Sequence, residues 1–343
     1  MTFINNIQTI IRKSNGNIIN CYVIDSSLYI RNFLYKTGWE DPVSIIENTK
    51  HNEVDIKVDN NDLVYGIVNN IEGEILYLFS DKKSIYPKKL FEYDKDKYLI
   101  KYPYIKKYEN TIIIAYYLQD LTNKKDWTIA FHFFDGARWL HNHIYSVKAF
   151  PIINPFIIYS SNNYIDLFYF DLINSKEEVF IRQFSKETKS WKNPVQLTSS
   201  NNQKLYLNVL KDGLDFYHIT WSEFINENLI VRYLKGNFQN NDFLTNEVKS
   251  LSMPANCSFP TFIKTGKALW CIWVQMNNLY SCYSMDHGNT WSKPIIDKES
   301  QDSNFIRYKF YSNYSQDIDN FNLNNIFGTS YPVMSFLGFK NIK

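Results

Sequence analysis

Short runs of apolar residues, broken by polar turns, recur along all 343 residues of the chain. Some runs are almost unbroken, such as Ile112–Tyr117 and Leu269–Val274. A strand covered on both faces has this pattern, whereas a strand with one wet face alternates. The runs group into successive sets of four, here called strands A to D. The second set is Val54–Val58, Leu63–Val68, Ile75–Phe79 and Lys89–Tyr93. The sixth is Pro260–Lys264, Ala268–Gln275, Leu279–Ser284 and Lys293–Ile296. No run approaches the roughly twenty apolar residues that span a bilayer.

The sets repeat an aromatic residue near one turn. Trp39, Tyr86, Trp139, Trp191, Phe238 and Trp291 are separated by 47, 53, 52, 47 and 53 residues. Several strands per period of about fifty residues predict the blades of a β-propeller. Three echoes support the register. Strand C carries Ile30-Arg31, Ile181-Arg182 and Val231-Arg232; strand A opens at Tyr102-Pro103, Asn154-Pro155 and Phe259-Pro260; the A–B turns hold Asn15-Gly16, Asp212-Gly213 and Thr265-Gly266. The expected fold class is therefore all-β, a propeller of six four-stranded blades over residues 1–300. Residues 301–343 break the period. They contain two further runs, Phe305–Tyr311 and Val333–Phe339, around a polar stretch at Ser312–Asn325. They either cap six blades or close the ring as a seventh.

The sixth C–D turn reads Ser284-Met285-Asp286-His287-Gly288-Asn289-Thr290-Trp291. Asp286 and Asn289 can bond their own turn backbone, Gly288 supplies a positive φ, and Trp291 covers the turn. This stretch resembles the Asp-box of the sialidase-like (BNR-repeat) β-propellers, with Ser284, Asp286, Gly288, Thr290 and Trp291 as its structural members. The resemblance implies an architecture rather than an activity, since the box is a staple on a hairpin. A catalytic sialidase would need an arginine triad, a Tyr/Glu nucleophile pair and an acid–base aspartate. The Arg-Ile-Pro-like motif that carries the first arginine is missing here. Arg31, Arg182 and Arg232 occupy equivalent repeat positions, so they cannot converge on one carboxylate.

Composition narrows the classes further. Formal net charge is +2 with scattered charges, which gives no basic face for nucleic acid. Aromatic residues make up 17% of the chain and favour strands. Glycine is scarce, so asparagine is expected to build the turns. The Asn-, Ile-, Lys- and Tyr-rich composition suggests an AT-rich bacterial genome. The residues after Met1 lack a basic stretch followed by an apolar core and cleavage site, so cytoplasmic synthesis is expected, with any surface or particle association reached by a non-signal route. Cys21, Cys257, Cys271 and Cys282 show no metal spacing and read as buried thiols. A hairpin turning at Asn277-Asn278 would place Cys282 opposite Trp273, with Cys271 diagonal to it.

No nucleophile elbow, phosphate loop or nucleotide motif occurs, and no cofactor or metal is expected. His141-Asn142-His143 puts two imidazoles on one strand face, but no third ligand is evident in the sequence. The B–C loops and the D–A connections should share one face of a propeller, opposite the Asp-box turns. Tyr102, Gln119, Asp120, Asn154, Asp171, Trp221, Glu223, Trp273 and Gln275 fall there. Aromatic plates beside amides and acids suit sugars; alternatively, such aromatics simply plug a channel. The leading expectation is a non-catalytic module that binds a glycan or cell-surface polymer, with no nucleic-acid or membrane partner. A protein–protein scaffold, the N-terminal part of a longer protein, is the alternative. A divergent glycoside hydrolase using Glu223 or Asp120 is the third.

Overall fold

A computed structural model describes residues 2–81, 84–108, 110–122, 126–148, 154–240 and 242–340. Within them the chain is all-β, 63% strand and 3% helix, with the strands in six sheets. It divides into two compact units. Unit one comprises Met1–Asn6, Pro151–Arg307 and Asn320–Lys343; unit two comprises Ile7–Phe150 and Tyr308–Asp319. No helix among the described residues is long and apolar enough to cross a membrane.

Unit two holds the first three repeats. The second sheet runs Thr49–Val58, Val64–Asn70, Glu74–Ser80 and Ile85–Glu92 in order, and the third Tyr98–Tyr108, Thr111–Asp120, Trp127–Phe134 and Trp139–Val147. In the first, Ile18–Ile24 and Ser27–Leu34 follow the strand Phe3–Arg12. Unit one holds the fourth to sixth sheets. In the sixth, Ser258–Thr265, Ala268–Gln275, Asn278–Ser284 and Ile295–Ile296 lie in sequence order. Some predicted strands extend beyond their expected bounds, as Thr49–Val58 does beyond Val54–Val58, while others are shorter, as Ile295–Ile296 is within Lys293–Ile296.

The inner B strands confirm the two-sided covering. Every residue of Val64–Asn70 is buried. Val64 and Val68 pack with Ile11, Ile19 and Leu28 of the first sheet. Tyr65 and Ile67, pointing the opposite way, pack with Ile105, Ile114 and Ala130 of the third. The period of two in a strand sends alternate side chains to opposite faces, so one strand serves two apolar layers. In unit one Tyr217, Ile219 and Trp221 face Phe168 and Ile181, while Val231 and Tyr233 lie in the next layer with Phe262, Cys271 and Trp273.

The turns follow the residues. Asp25-Ser26, Asn174-Ser175, Asn226-Glu227 and Met276-Asn277 have positive φ at both positions, the two-residue hairpin that matches strand twist. The B–C connections at these sites are tight turns rather than open loops. The last sits one residue earlier than expected. Cys271 therefore faces Cys282 directly, and Trp273 faces Tyr280. All four cysteines are buried free thiols.

The aromatic repeat lies on the C–D hairpins. Trp39, Tyr86, Trp139 and Trp191 sit directly across from Phe33, Phe79, Phe134 and Phe184. In the turn at 284–291, Asp286 accepts hydrogen bonds from the Thr290 N–H (2.8 Å) and hydroxyl (2.6 Å). The Ser284 hydroxyl donates to Asp286, and the Gly288 N–H donates to Ser284 Oγ. Gly288 has φ +83, and Trp291 packs edge-on against Tyr233. Asn289 differs from expectation, since its side chain accepts Lys235 Nζ rather than capping its own turn. Asp135 and Gly136 repeat a lighter version of the turn, with Asp135 accepting the Ala137 and Arg138 N–H groups.

Residues 301–343 form no sheet of their own among the described residues. Phe321–Leu323 pairs with Ser258–Thr265 of the sixth sheet. Asn325–Thr329 and Phe336–Leu337 pair with each other. Of the second predicted run, only Phe336–Leu337 is a strand. The polar stretch contains a short helix, Ser315–Asn320, which places Asp317 2.9 Å from Arg12 within unit two.

Candidate functional site

The sites expected from sequence divide sharply by burial. Trp221 and Trp273 are 1% and 0% exposed and belong to the apolar layers. Their indole N–H groups donate inward, to Glu223 Oε2 at 3.1 Å and Gln275 Oε1 at 3.3 Å. Neither ring has a face open to a sugar. Near-continuous apolar sequence marks such positions as core, and the correction follows from that same pattern.

Glu223 is 1% exposed and fully engaged. It accepts Asn202 Nδ2 at 3.0 Å and lies 3.3 Å from Arg232 Nε. Burial opposes its charge, but bonds from Ser200, Asn202 and Trp221 and the charge of Lys204 hold its pKa below the ordinary value. Its neighbour Lys204 is completely buried and bonds Glu178 Oε2, the carbonyl of Glu177 and that of Asn202. Such a saturated network stiffens a fold and has no spare lone pair for a substrate. Asp171 and Gln119 are likewise buried. Asp120 caps its own turn through the Thr122 N–H and hydroxyl. Asn154 and Gln275 are half-buried.

Tyr102 is the member that leads to chemistry. Strand A of the third sheet bulges between Lys101 and Tyr104, and Tyr102 within the bulge has φ +52. The left-handed region costs a bulky residue about 1–2 kcal/mol, so surrounding contacts must hold it there. One of them is a 2.7 Å hydrogen bond from the Tyr102 N–H to Glu53 Oε2. The Tyr102 ring meets Tyr117 edge-on.

Glu53 lies in Thr49–Val58, itself irregular between Thr49 and Val54. It is only 7% exposed. Burial pushes its carboxyl up to about 7, against the lowering pull of the Tyr102 N–H and of Lys101, Lys50 and Lys309. A carboxylic acid poised near neutrality is suited to give or take a proton. Lys50 bonds the Tyr93 hydroxyl at 3.1 Å, and that hydroxyl donates to Asn69 Oδ1 at 2.8 Å. Lys50, Lys101, Tyr93 and Tyr102 are half-buried and so border solvent.

Two residues further along the same face stands Asp55. It binds Lys57 at 2.5 Å, Lys309 at 3.2 Å and the Ile105 N–H at 3.0 Å. Burial raises its pKa, but the two lysines more than offset this and hold it below the ordinary aspartate value. Lys57 also bonds the Ile105 carbonyl and lies 3.7 Å from the Tyr104 ring centre. Asp55 is thus a fixed anion and Glu53 a titratable acid, two carboxyls set apart by their surroundings.

Glu53 was not among the residues expected from sequence. The signal was present in Glu53-Val54-Asp55-Ile56-Lys57, where three ionisable residues share one strand face opposite two apolar ones. Starting the strand at Val54 hid it.

A second cluster lies wholly in unit one. Tyr206 and Phe259 occupy the same kind of bulge as Tyr102, with φ +59 and +52. Their ring centres are 4.1 Å apart, and the Arg307 guanidinium covers Phe259 at 3.9 Å while donating to Asn5 Oδ1. All three residues are half-buried. Of the strand-C arginines, Arg182 donates to the Lys192 carbonyl and Arg232 to Ser250 Oγ, each onto its own outer hairpin. His141 lies opposite His132 in the register; the side chain of His143, with which the sequence groups it, lies outside the described residues.

The sequence matches no protein-family profile and no curated protein. Solved structures do resemble it. A polysaccharide lyase of a new family, a PL25 ulvan lyase, aligns over 98% of this chain and 94% of its own, with a TM-score of 0.64 and 13% identity. The GH93 α-L-arabinofuranosidase of Fusarium graminearum, solved with arabinobiose, covers 83% of this chain and 95% of its own at TM-score 0.54 and 11% identity. An α-L-arabinanase from Penicillium chrysogenum gives 86% and 85%, TM-score 0.52 and 12% identity. The chain shares with these proteins an all-β fold of the β-propeller type.

Proposed function

We propose that this protein is a glycan-directed β-propeller whose working site is the Glu53–Tyr102 cluster of unit two, with Glu53 as its proton-transfer group. One observation carries the reading. A nearly buried glutamic acid is held near neutral pH beside a strained tyrosine and three lysines. The similarity in fold to a polysaccharide lyase and to two enzymes solved with arabinobiose supports a glycan ligand. Lysines around the acid favour a polymer bearing carboxylates or sulfates. We read the six sheets as six blades and the 284–291 turn as an Asp-box.

The test uses a panel of neutral, uronate-containing and sulfated polysaccharides. Binding is followed by affinity electrophoresis and turnover by release of reducing ends and of unsaturated uronate. Glu53→Gln should abolish turnover while leaving binding within a few-fold. Binding without turnover by the wild type would return the protein to a purely recognising role. No binding to any polymer would refute the glycan reading.

The aromatic cluster of Tyr206, Phe259 and Arg307 supports a second reading, non-catalytic sugar recognition in unit one. Polymer binding lost in Tyr206→Ala and kept in Glu53→Gln would favour it.

A further inference from the structure

We propose that His132 and His141, facing each other on the outer strands of the third sheet, form a two-histidine site for a divalent transition-metal ion. The two residues are directly opposed in the register of Trp127–Phe134 and Trp139–Val147. Their Nδ1 atoms are 2.7 Å apart, so two lone-pair positions converge on one point. In the metal-free state one nitrogen donates to the other.

The alternative tautomers open the pair to a cation without changing net charge. His132 Nε2 lies 3.0 Å from the Tyr116 hydroxyl. A phenol hydroxyl has an oxygen lone pair that can accept an N–H. When His132 carries its proton on Nε2, it donates to this oxygen, and Nδ1 presents its lone pair on the side of His141. His141 with its proton on Nε2, at the exposed edge, does the same. A partner that fixes the tautomer and ring angle is the usual support of a metal-bound histidine. Nitrogen ligands at about 2.0–2.1 Å from zinc are about 3.3 Å apart in a tetrahedral site and about 2.9 Å apart at a right angle. From 2.7 Å the gap needs to widen by about 0.2 Å for a right angle and about 0.6 Å for a tetrahedron, within the reach of side-chain rotation. Imidazole pairs suit zinc, nickel and copper rather than calcium or magnesium.

The surroundings fix one ring and leave the other accessible. His132 is half-buried and tilted against Tyr116, with ring centres 5.4 Å apart. His141 is exposed and stacks at 6.3 Å on Trp139. Among the described residues no third histidine, cysteine or carboxylate joins the pair. The remaining positions are left to water or to an oxygen-bearing ligand. The site differs in kind from the Glu53 cluster, and neither depends on the other.

The experiment is calorimetric titration of untagged full-length protein with zinc and with nickel near neutral pH. One ion per chain is expected, with His132→Ala and His141→Ala each weakening it by about tenfold or more. His51→Ala should have no effect. Nickel or copper should quench a part of the tryptophan fluorescence that Trp139→Phe removes, which reads the site even if His132→Ala folds poorly. Absence of binding to the wild type would overturn the proposal. So would binding that survives both alanine variants, or binding lost in His143→Ala but intact in His132→Ala.

Discussion

Replacing Glu53 by glutamine tests the physical state of the Glu53–Tyr102 cluster without any substrate. Glutamine keeps the shape and still offers an oxygen to the Tyr102 N–H, but it cannot ionise. In the folded protein Glu53 titrates at about 7, against an ordinary glutamate value of 4.5 in an unfolded chain. A carboxyl raised in the folded state contributes its full stability below the unfolded value. That contribution is lost as pH rises through the folded value, because the unfolded chain gives up the proton first. The interval corresponds to about 3 kcal/mol at about 1.4 kcal/mol per pH unit. Glu53→Gln should therefore match the wild type within about 1 kcal/mol in mild acid and exceed it by about 2–3 kcal/mol above neutrality. Urea midpoints measured at a series of pH values give the difference, provided the slopes agree. A difference that stays flat from mild acid to mild base would show that Glu53 is ionised throughout, and the acid–base role would go with it.

Three further substitutions probe the frame around the sites. Gly288→Ala would place a methyl group 1.9 Å from the Tyr233 hydroxyl at a backbone φ of +83; we expect a loss of about 2–5 kcal/mol, measured by urea unfolding, and a neutral effect would mean the turn packs differently. Asp286→Ala removes both acceptors of the Thr290 bonds and should cost about 1–2 kcal/mol by the same assay. Asp55→Asn leaves Lys57 and Lys309 without their shared anion and should cost about 3–5 kcal/mol, detected as a fall in thermal midpoint that salt does not restore.

The fold was legible because propeller-like sheets carry redundant signals. Tight turns need asparagine or glycine, two-sided strands need apolar runs, and Trp39, Trp139 and Trp191 recur where the outer hairpin needs a plate. The candidate site was less legible for two reasons. Trp221 and Trp273 looked like binding aromatics, yet the runs that contain them face covered layers on both sides. Glu53 announced itself only by alternation with Val54 and Ile56, and its raised pKa comes from burial in the folded protein, against the pull of the N–H of Tyr102, which is 49 residues away in sequence. A bulge that turns one residue left-handed leaves no trace in composition, and aromatic Tyr102, Tyr206 and Phe259 are not residues that advertise a positive φ. The register of the sixth hairpin was missed by one position, because Met276 takes a turn place usually filled by asparagine.

Neither compact unit is continuous in the chain, and this bears on how the molecule is made. Unit two takes in Tyr308–Asp319, and unit one needs both the first six residues and the segment from Asn320 onward. Thr2 donates to Asn304, and Asn324 to the carbonyl of Val209. During synthesis, the early strands must wait on the ribosome until more than three hundred residues have emerged before their last contacts can close. Loops of that length close slowly, and unfinished sheets stay sticky while they wait. The consequence is a protein whose yield should be governed by elongation rate and chaperone supply, with refolding from denaturant slower than its final stability alone would suggest.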